Sequence, residues 1–427
     1  MGNVGRFALS IGTAALFAGC GGSQPPIGAP LSGRQANGSS AQPLTKSGYE
    51  VLYSFKQGTG DGQSPEGSLV YVNGKLYGTT AYGGSQNAGV IFSLTRAGGS
   101  WREKILHNFG RGADGANPKA DLSYDPADGR IYGTTSSGGT NNAGIVFSFT
   151  GCDCGKYTVL HNFRSGMDGA MPLGGMDVDG SVPRGTTAFG GSQNAGVIFS
   201  LTPLGGSWRE KILHNFGRGA DGAHPRADVT ANPRIGAIYG TTGSGGTNNA
   251  GVVFSFTGCD CGKYTVLHSF TGRDGKTPVA GLIVFPKAGY GTTEKGGRVG
   301  GGVVYKVQTN GAESVLHSFG TQYCCSDGSA PQASLTNPGC PMTAHVVCKL
   351  YGTTSGASCC FGLHCGTIFS ISTNVPVVYH VLRYFNGTQQ PLGCNPKAGM
   401  IWVGGTLYGT TANGGASNAG EVFAYAP

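Results

Sequence analysis

The chain has 427 residues, 80 of them glycine, with only 12% charged residues and a net charge of +8. That charge is spread thinly: the densest basic stretch is WREK, at 101–104 and 208–211, with a Glu inside it, so the basic stripe with interleaved aromatics that nucleic-acid binding needs is missing. Glycines recur in register with Tyr, Phe, Val and Leu and mark turns between strands. No long 3.6-residue apolar period follows the first twenty residues, so an all-β chain is expected.

At the N-terminus Arg6 precedes the apolar run FALSIGTAALF (7–17), too short for a stable membrane span. It runs into Leu16-Phe17-Ala18-Gly19-Cys20, which resembles a bacterial lipobox, with Phe17 where Leu is usual. The resemblance implies a signal peptide over 1–19 and diacylglycerol on Cys20. Residues 20–48, rich in Gly, Ser, Pro and Gln, then read as a flexible lipidated tether. The expected location is outside the cytoplasm, at the outer membrane or cell surface, with the N-terminal lipid as the sole membrane contact.

From residue 49 to 427 the chain repeats. The glycine of a Gly-Thr-Thr element falls at 78, 133, 185, 240, 291, 352 and 409, at spacings of 51 to 61 residues. Each unit holds four extended runs; in the second they are ADLSYD (120–125), RIYGTT (130–135), GIVFSF (144–149) and YTVLHNF (157–163). Four short strands at this period indicate a propeller blade, and seven units indicate a seven-bladed β-propeller with four-stranded blades. VLYSF (51–55) is an outer-type strand with no unit of its own, and GEVFAYAP (420–427) ends a unit that lacks one. Pairing the two closes the ring and removes two sheet edges. In the third unit Val182-Pro183-Arg184 replaces the apolar-Tyr step and predicts a shortened strand. Residues 81–109 and 188–216 are nearly identical, a two-blade duplication, so identity between those blades reports copying.

The unit DG-x-x-P … LYGTT-x-x-GG-x-x-x-x-G-x-VF … VLHSF resembles the GloVer tandem repeat over residues 50–427. The resemblance implies an exported bacterial protein of propeller type, with anchoring that varies among members. It implies no enzymatic activity.

Among chemistry-bearing residues, His107, His161, His214, His268 and His317 share one slot of the outer strand, filled elsewhere by Tyr53 and Arg383. Spread one per blade around the perimeter, they cannot converge on a single metal, and no metal or cofactor is expected. Asp61, Asp114, Asp168, Asp221, Asp274 and Asp327 each open a DG-x-x-P turn, replaced in the last unit by Asn386-Gly387 and Pro391. These turns share a face with the GGSQNAG-type loops, which carry Asn87, Asn142, Asn194, Asn249 and Asn418. Such residues either cap their own turns or form a polar ligand surface around the central opening. The mid-strand aromatics Tyr77, Tyr132, Tyr239, Tyr290, Tyr351 and Tyr408, with Phe92 and its counterparts, are expected in the core between blades.

Setting Cys20 aside, twelve cysteines remain, an even number that indicates disulfides in an exported chain. Cys340 and Cys348 flank one hairpin of the sixth unit and are expected to pair. Cys324, Cys325, Cys359, Cys360, Cys365 and Cys394 fall on the Asp-rich face and are expected to pair among themselves. Each CDC, at 152–154 and 259–261, either closes on itself or stays reduced.

No nucleophile elbow, zinc-protease helix, phosphate loop or repeated carboxylate pair is present. The expected function is a monomeric, non-catalytic binding module for a polar partner, glycan or protein. A polysaccharide hydrolase or lyase at the channel mouth is the alternative, placed near the sixth unit because its GG loop is replaced by SGASCCFGLHCG (355–366). A purely structural spacer is the third.

Overall fold

The Tyr-Gly-Thr-Thr step is explained by what lies across the sheet from it. Gly78 pairs with Phe92 on the third strand, and a Cβ at Gly78 would stand 2.5 Å from the Phe92 ring and 2.8 Å from Leu69. The same glycine lies under Phe147, Phe254, Phe369 and Phe423 in other units. Its missing side chain lets the aromatic ring lie flat against the strand. The two threonines have separate tasks. Except in the first blade, the first reaches the neighbouring unit: Thr241 Oγ1 donates to the Ala280 carbonyl at 3.1 Å and Thr292 Oγ1 to that of Ala333 at 3.1 Å. The second closes its own turn, as Thr80 Oγ1 does on the Tyr82 carbonyl at 2.8 Å.

The computed structural model describes residues 48–58, 60–150, 155–179, 182–232, 235–258, 262–322, 326–341, 348–356, 365–373, 375–385 and 393–427. They form seven antiparallel blades spanning 70–108, 123–162, 177–215, 230–269, 283–318, 336–384 and 401–426. The first six run from inner to outer strand in chain order, and the sixth has its inner strand reduced to a bridge between Thr336 and Tyr351. The seventh takes its outer strand from the other end of the chain: Gly48–Ser54 lies antiparallel to Glu421–Ala426, with Tyr49 opposite Tyr425 and Val51 opposite Phe423. The helical content of the described residues is one 3-10 turn, Gly166–Asp168.

The core lies between blades. Phe109, which ends the first outer strand, packs on Phe147 of the second blade at 5.4 Å between ring centroids. Phe163 packs likewise on Phe199, Phe216 on Phe254, Phe270 on Tyr305, Phe319 on Phe369, Phe385 on Phe423, and Phe55 on Phe92. Every one of these outer-strand rings is fully buried. Tyr77, Tyr132, Tyr239, Tyr290, Tyr351 and Tyr408 are buried core residues as well.

One expectation needs correction. The second strand of the third blade, Val182–Thr187, keeps the six residues of its counterparts. What it loses is pairing: its ladder to the third strand begins at Arg184–Ser200, whereas in the first blade the ladder begins at Lys75–Thr95. Pro183 has no N–H to give, so rungs are lost while the strand continues.

Candidate functional site

Each outer strand carries a one-residue irregularity at the same place. In the first blade Ile91 pairs with His107 but Phe92 pairs with Ile105, which leaves Leu106 without a partner. The shift recurs in all seven blades, between Val51 and Tyr53 in the N-terminal strand. A bulge re-aims the side chain beside it. Here it aims the histidine at the aspartate of the following turn.

His107 Nε2 lies 3.1 Å from Asp114 Oδ2, His161 3.3 Å from Asp168, His214 3.1 Å from Asp221, His268 3.0 Å from Asp274 and His317 3.2 Å from Asp327. Tyr53 takes the histidine's place against Asp61, donating its hydroxyl at 2.8 Å. The carboxylate also caps the turn: Asp114 Oδ1 accepts the N–H groups of Gly110 and Arg111 at 3.0 and 2.8 Å. These aspartates therefore stand at the rim, at the outer-strand end of each turn, and not around the central opening. Nearer the inner strands, Asp121 accepts the Ser68 N–H from the preceding blade and Asp228 accepts that of Gly175. Sequence reading passed over both.

The asparagines cap the other loops. Asn87 Oδ1 accepts the Gly83 N–H at 3.0 Å, and Asn142, Asn194, Asn249 and Asn418 do the same to Gly138, Gly190, Gly245 and Gly414. All five hold φ between 50° and 55° and are exposed. Asparagine tolerates this left-handed conformation better than other side chains.

A third partner at each rim junction comes from the next blade, four residues before its own outer-strand histidine slot. This position reads Glu103, Tyr157, Glu210, Tyr264, Glu313, Tyr379 and Tyr49 around the ring. The tyrosines stack: Tyr157 on His107, Tyr264 on His214 and Tyr379 on His317, each at 3.9 Å. Tyr49 lies under the Arg383 guanidinium at 3.8 Å. The glutamates meet the aspartates instead. Burial and the neighbouring Asp61 push Glu103 up to about 7; burial and a hydrogen bond to Asp168 push Glu210 up to about 9; burial and Asp274 push Glu313 up to about 7. Asp168, with burial opposing, is held below the ordinary range by hydrogen bonds from Glu210 and the Arg164 N–H and by His161, so the shared proton resides on Glu210. Burial lowers His107, His161 and His214 despite the adjacent carboxylates, which keeps them neutral.

Cys340 and Cys348 form the expected disulfide. Cys365 and Cys394, both of the set assigned to the Asp-rich face, form another. Cys152, Cys154, Cys259, Cys261, Cys324, Cys325, Cys359 and Cys360 lie outside the described residues, as do Cys20, Asn386, Pro391 and most of the sixth-unit loop.

Solved structures of similar shape include a propeller. The WD40 β-propeller domain of Doa1 aligns at TM-score 0.50 and 9% identity, over 88% of this chain and 97% of that one. A proposed 6-phosphogluconolactonase from Bacteroides uniformis aligns at 0.52 and 16%, over 79% and 89%. The extracellular domain of a proposed hybrid two-component system from B. thetaiotaomicron aligns at 0.52 and 10%, over 88% and 40%. At such identities the likeness carries the fold alone. No curated protein matches the chain in sequence. The Gloeobacter/Verrucomicrobia repeat matches residues 32–183 and 176–423, and with seven such units closed into blades the chain belongs to that repeat family.

Proposed function

We propose that the chain is an extracytoplasmic binding module, without catalysis of its own, whose loop face takes a polar partner, a glycan foremost. The observation that carries this reading is the five-fold repetition of one exposed asparagine in one geometry. Each side-chain oxygen is committed inward to a backbone N–H, so what the loop tips offer outward is amide N–H2 donors on a rigid frame. Ring faces stand among them: Tyr82 is 38% exposed, and His224 packs against Phe189 at 5.0 Å. Amide donors beside aromatic faces suit sugar hydroxyls, and seven blades offer repeated weak contacts to a polymer.

The test is an array of glycans and envelope polymers probed with the full chain, with product analysis of each polymer retained. Replacing all five asparagines with aspartate keeps the inward acceptor and the left-handed conformation but removes the donors. The variant is expected to melt as the parent does and to lose retention at least ten-fold. Retention unchanged by the five substitutions, or conversion of the polymer, overturns the reading.

The disulfides Cys340–Cys348 and Cys365–Cys394 support an oxidising compartment. Among the described residues no helix is long and apolar enough to cross a membrane. We assign attachment to lipid on Cys20; Cys20→Ser is expected to move the protein from the membrane to the soluble fraction, and a variant that still sediments with membranes refutes the anchor.

A further inference from the structure

We propose that the rim junction between the second and third blades is a divalent-metal site built from His161, Asp168 and Glu210, repeated between the fourth and fifth blades by His268, Asp274 and Glu313. In both trios one ligand atom per residue lies within 4.8 Å of the other two. His161 Nε2 stands 3.3 Å from Asp168 Oδ2 and 3.6 Å from Glu210 Oε2. Ligands bound to tetrahedral zinc at about 2.0–2.1 Å lie about 3.3 Å apart, so the trio needs little rearrangement to close on an ion.

A second observation points to a ligand. The Glu210 side chain is only 9% exposed, and its Oε1 is buried with no hydrogen-bond partner. Glu313 Oε1 is buried and unpartnered too. A second carboxylate buried beside an aspartate is costly unless a proton or a cation joins them. The imidazole supplies what a cation of the zinc class needs beyond oxygen. On binding, the neutral ring takes the tautomer with its single proton on Nδ1 and offers Nε2 to the metal, and the proton held between Glu210 and Asp168 is released to solvent. His161 and Asp168 remain 13% and 22% exposed, which leaves an open side for water as a fourth ligand.

The repeat argues against accident. Glu313 sits in ESVLHS, which shares with EKILHN at 103–108 only its Glu, Leu and His. The glutamate has thus stayed while its strand diverged. The ligands also come from two blades, so an ion there ties one blade to the next. The junction of Tyr53, Asp61 and Glu103 has the two carboxylates but no imidazole, and serves as the internal control.

The experiment is a Co(II) titration of the full, oxidised, chelator-stripped chain, followed by visible absorption. The expected result is a d–d spectrum without thiolate charge transfer that saturates at two ions per chain. Glu210→Gln should leave one ion, Glu210→Gln with Glu313→Gln should leave none, and Glu103→Gln should leave both. Metal-free melting of each variant checks its fold; if the double glutamine variant fails it, Asp168→Asn with Asp274→Asn is read the same way. No spectrum at millimolar Co(II), a spectrum with thiolate bands, or binding undiminished in the folded double variant overturns the proposal.

Discussion

At the scale of single residues, the rim converts a repeated slot into different chemistry by one substitution. A tyrosine four residues before the histidine slot covers the preceding histidine with a ring; a glutamate presents it, or Tyr53, with a second carboxylate. Glu103 tests the electrostatic cost of that choice without an imidazole nearby. Its folded value of about 7, raised by burial and then by Asp61, stands above the roughly 4.3 of an unfolded glutamate. The folded state therefore holds this proton more tightly than the unfolded chain does. Its stabilising contribution is complete below pH ~4.3 and is lost as pH rises to about 7. Glu103→Gln is expected to gain stability relative to the parent as pH rises from 5 to 8, read as a growing difference in denaturation midpoint. A difference that stays constant over that window means Glu103 ionises normally.

At the scale of strands and loops, legibility depended on how far apart the partners lie. The YGTT strand, its phenylalanine partner and the DG turns repeat within one unit, and their spacing alone indicated four strands per blade. The bulge at Leu106 left no such mark, because VLHNF-type strands read the same with or without a one-residue register shift. The rim trios were hidden for a different reason. Glu210 meets His161 across a blade boundary, 49 residues along the chain, and no local spacing reports that contact. A signal was nevertheless present: aligned on the histidine slot, the units alternate Glu and Tyr four residues earlier. The turn aspartates and loop asparagines were legible as caps, since side chains that satisfy their own turn need no distant partner. Asp121 and Asp228 were not, because each accepts from the backbone of the preceding blade.

At the scale of the whole ring, the seventh junction is made by the two ends of the described chain, and it uses ring and threonine contacts that recur at other junctions. Phe55 packs on Phe92, and Thr410 Oγ1 reaches the Gly67 carbonyl of the first blade at 3.4 Å. The seventh blade also has a feature of its own. Where the first blade has Val90 opposite Thr80, the seventh has the fully buried Glu421 opposite Thr411. Its Oε1 accepts the Tyr49 hydroxyl from the N-terminal strand and the Gly393 N–H at 2.7 Å. The glutamate thus makes the last blade dependent on the strand that completes it. Tyr49→Phe removes one donor from a buried acceptor and is expected to cost about 1–3 kcal/mol. Pairing it with Glu421→Val, which restores the residue type of the first blade, removes the Tyr49–Glu421 pair but leaves the Gly393 N–H without its acceptor, so only part of that loss is expected to return. Deleting residues 1–55 should do far more, because it strips Phe55 from the core and leaves Glu421–Ala426 as an open edge prone to intermolecular pairing. Denaturant unfolding with size-exclusion chromatography reads all three. A truncated chain that stays monomeric and unfolds at the parent's midpoint shows that the N-terminal strand does not hold the ring shut.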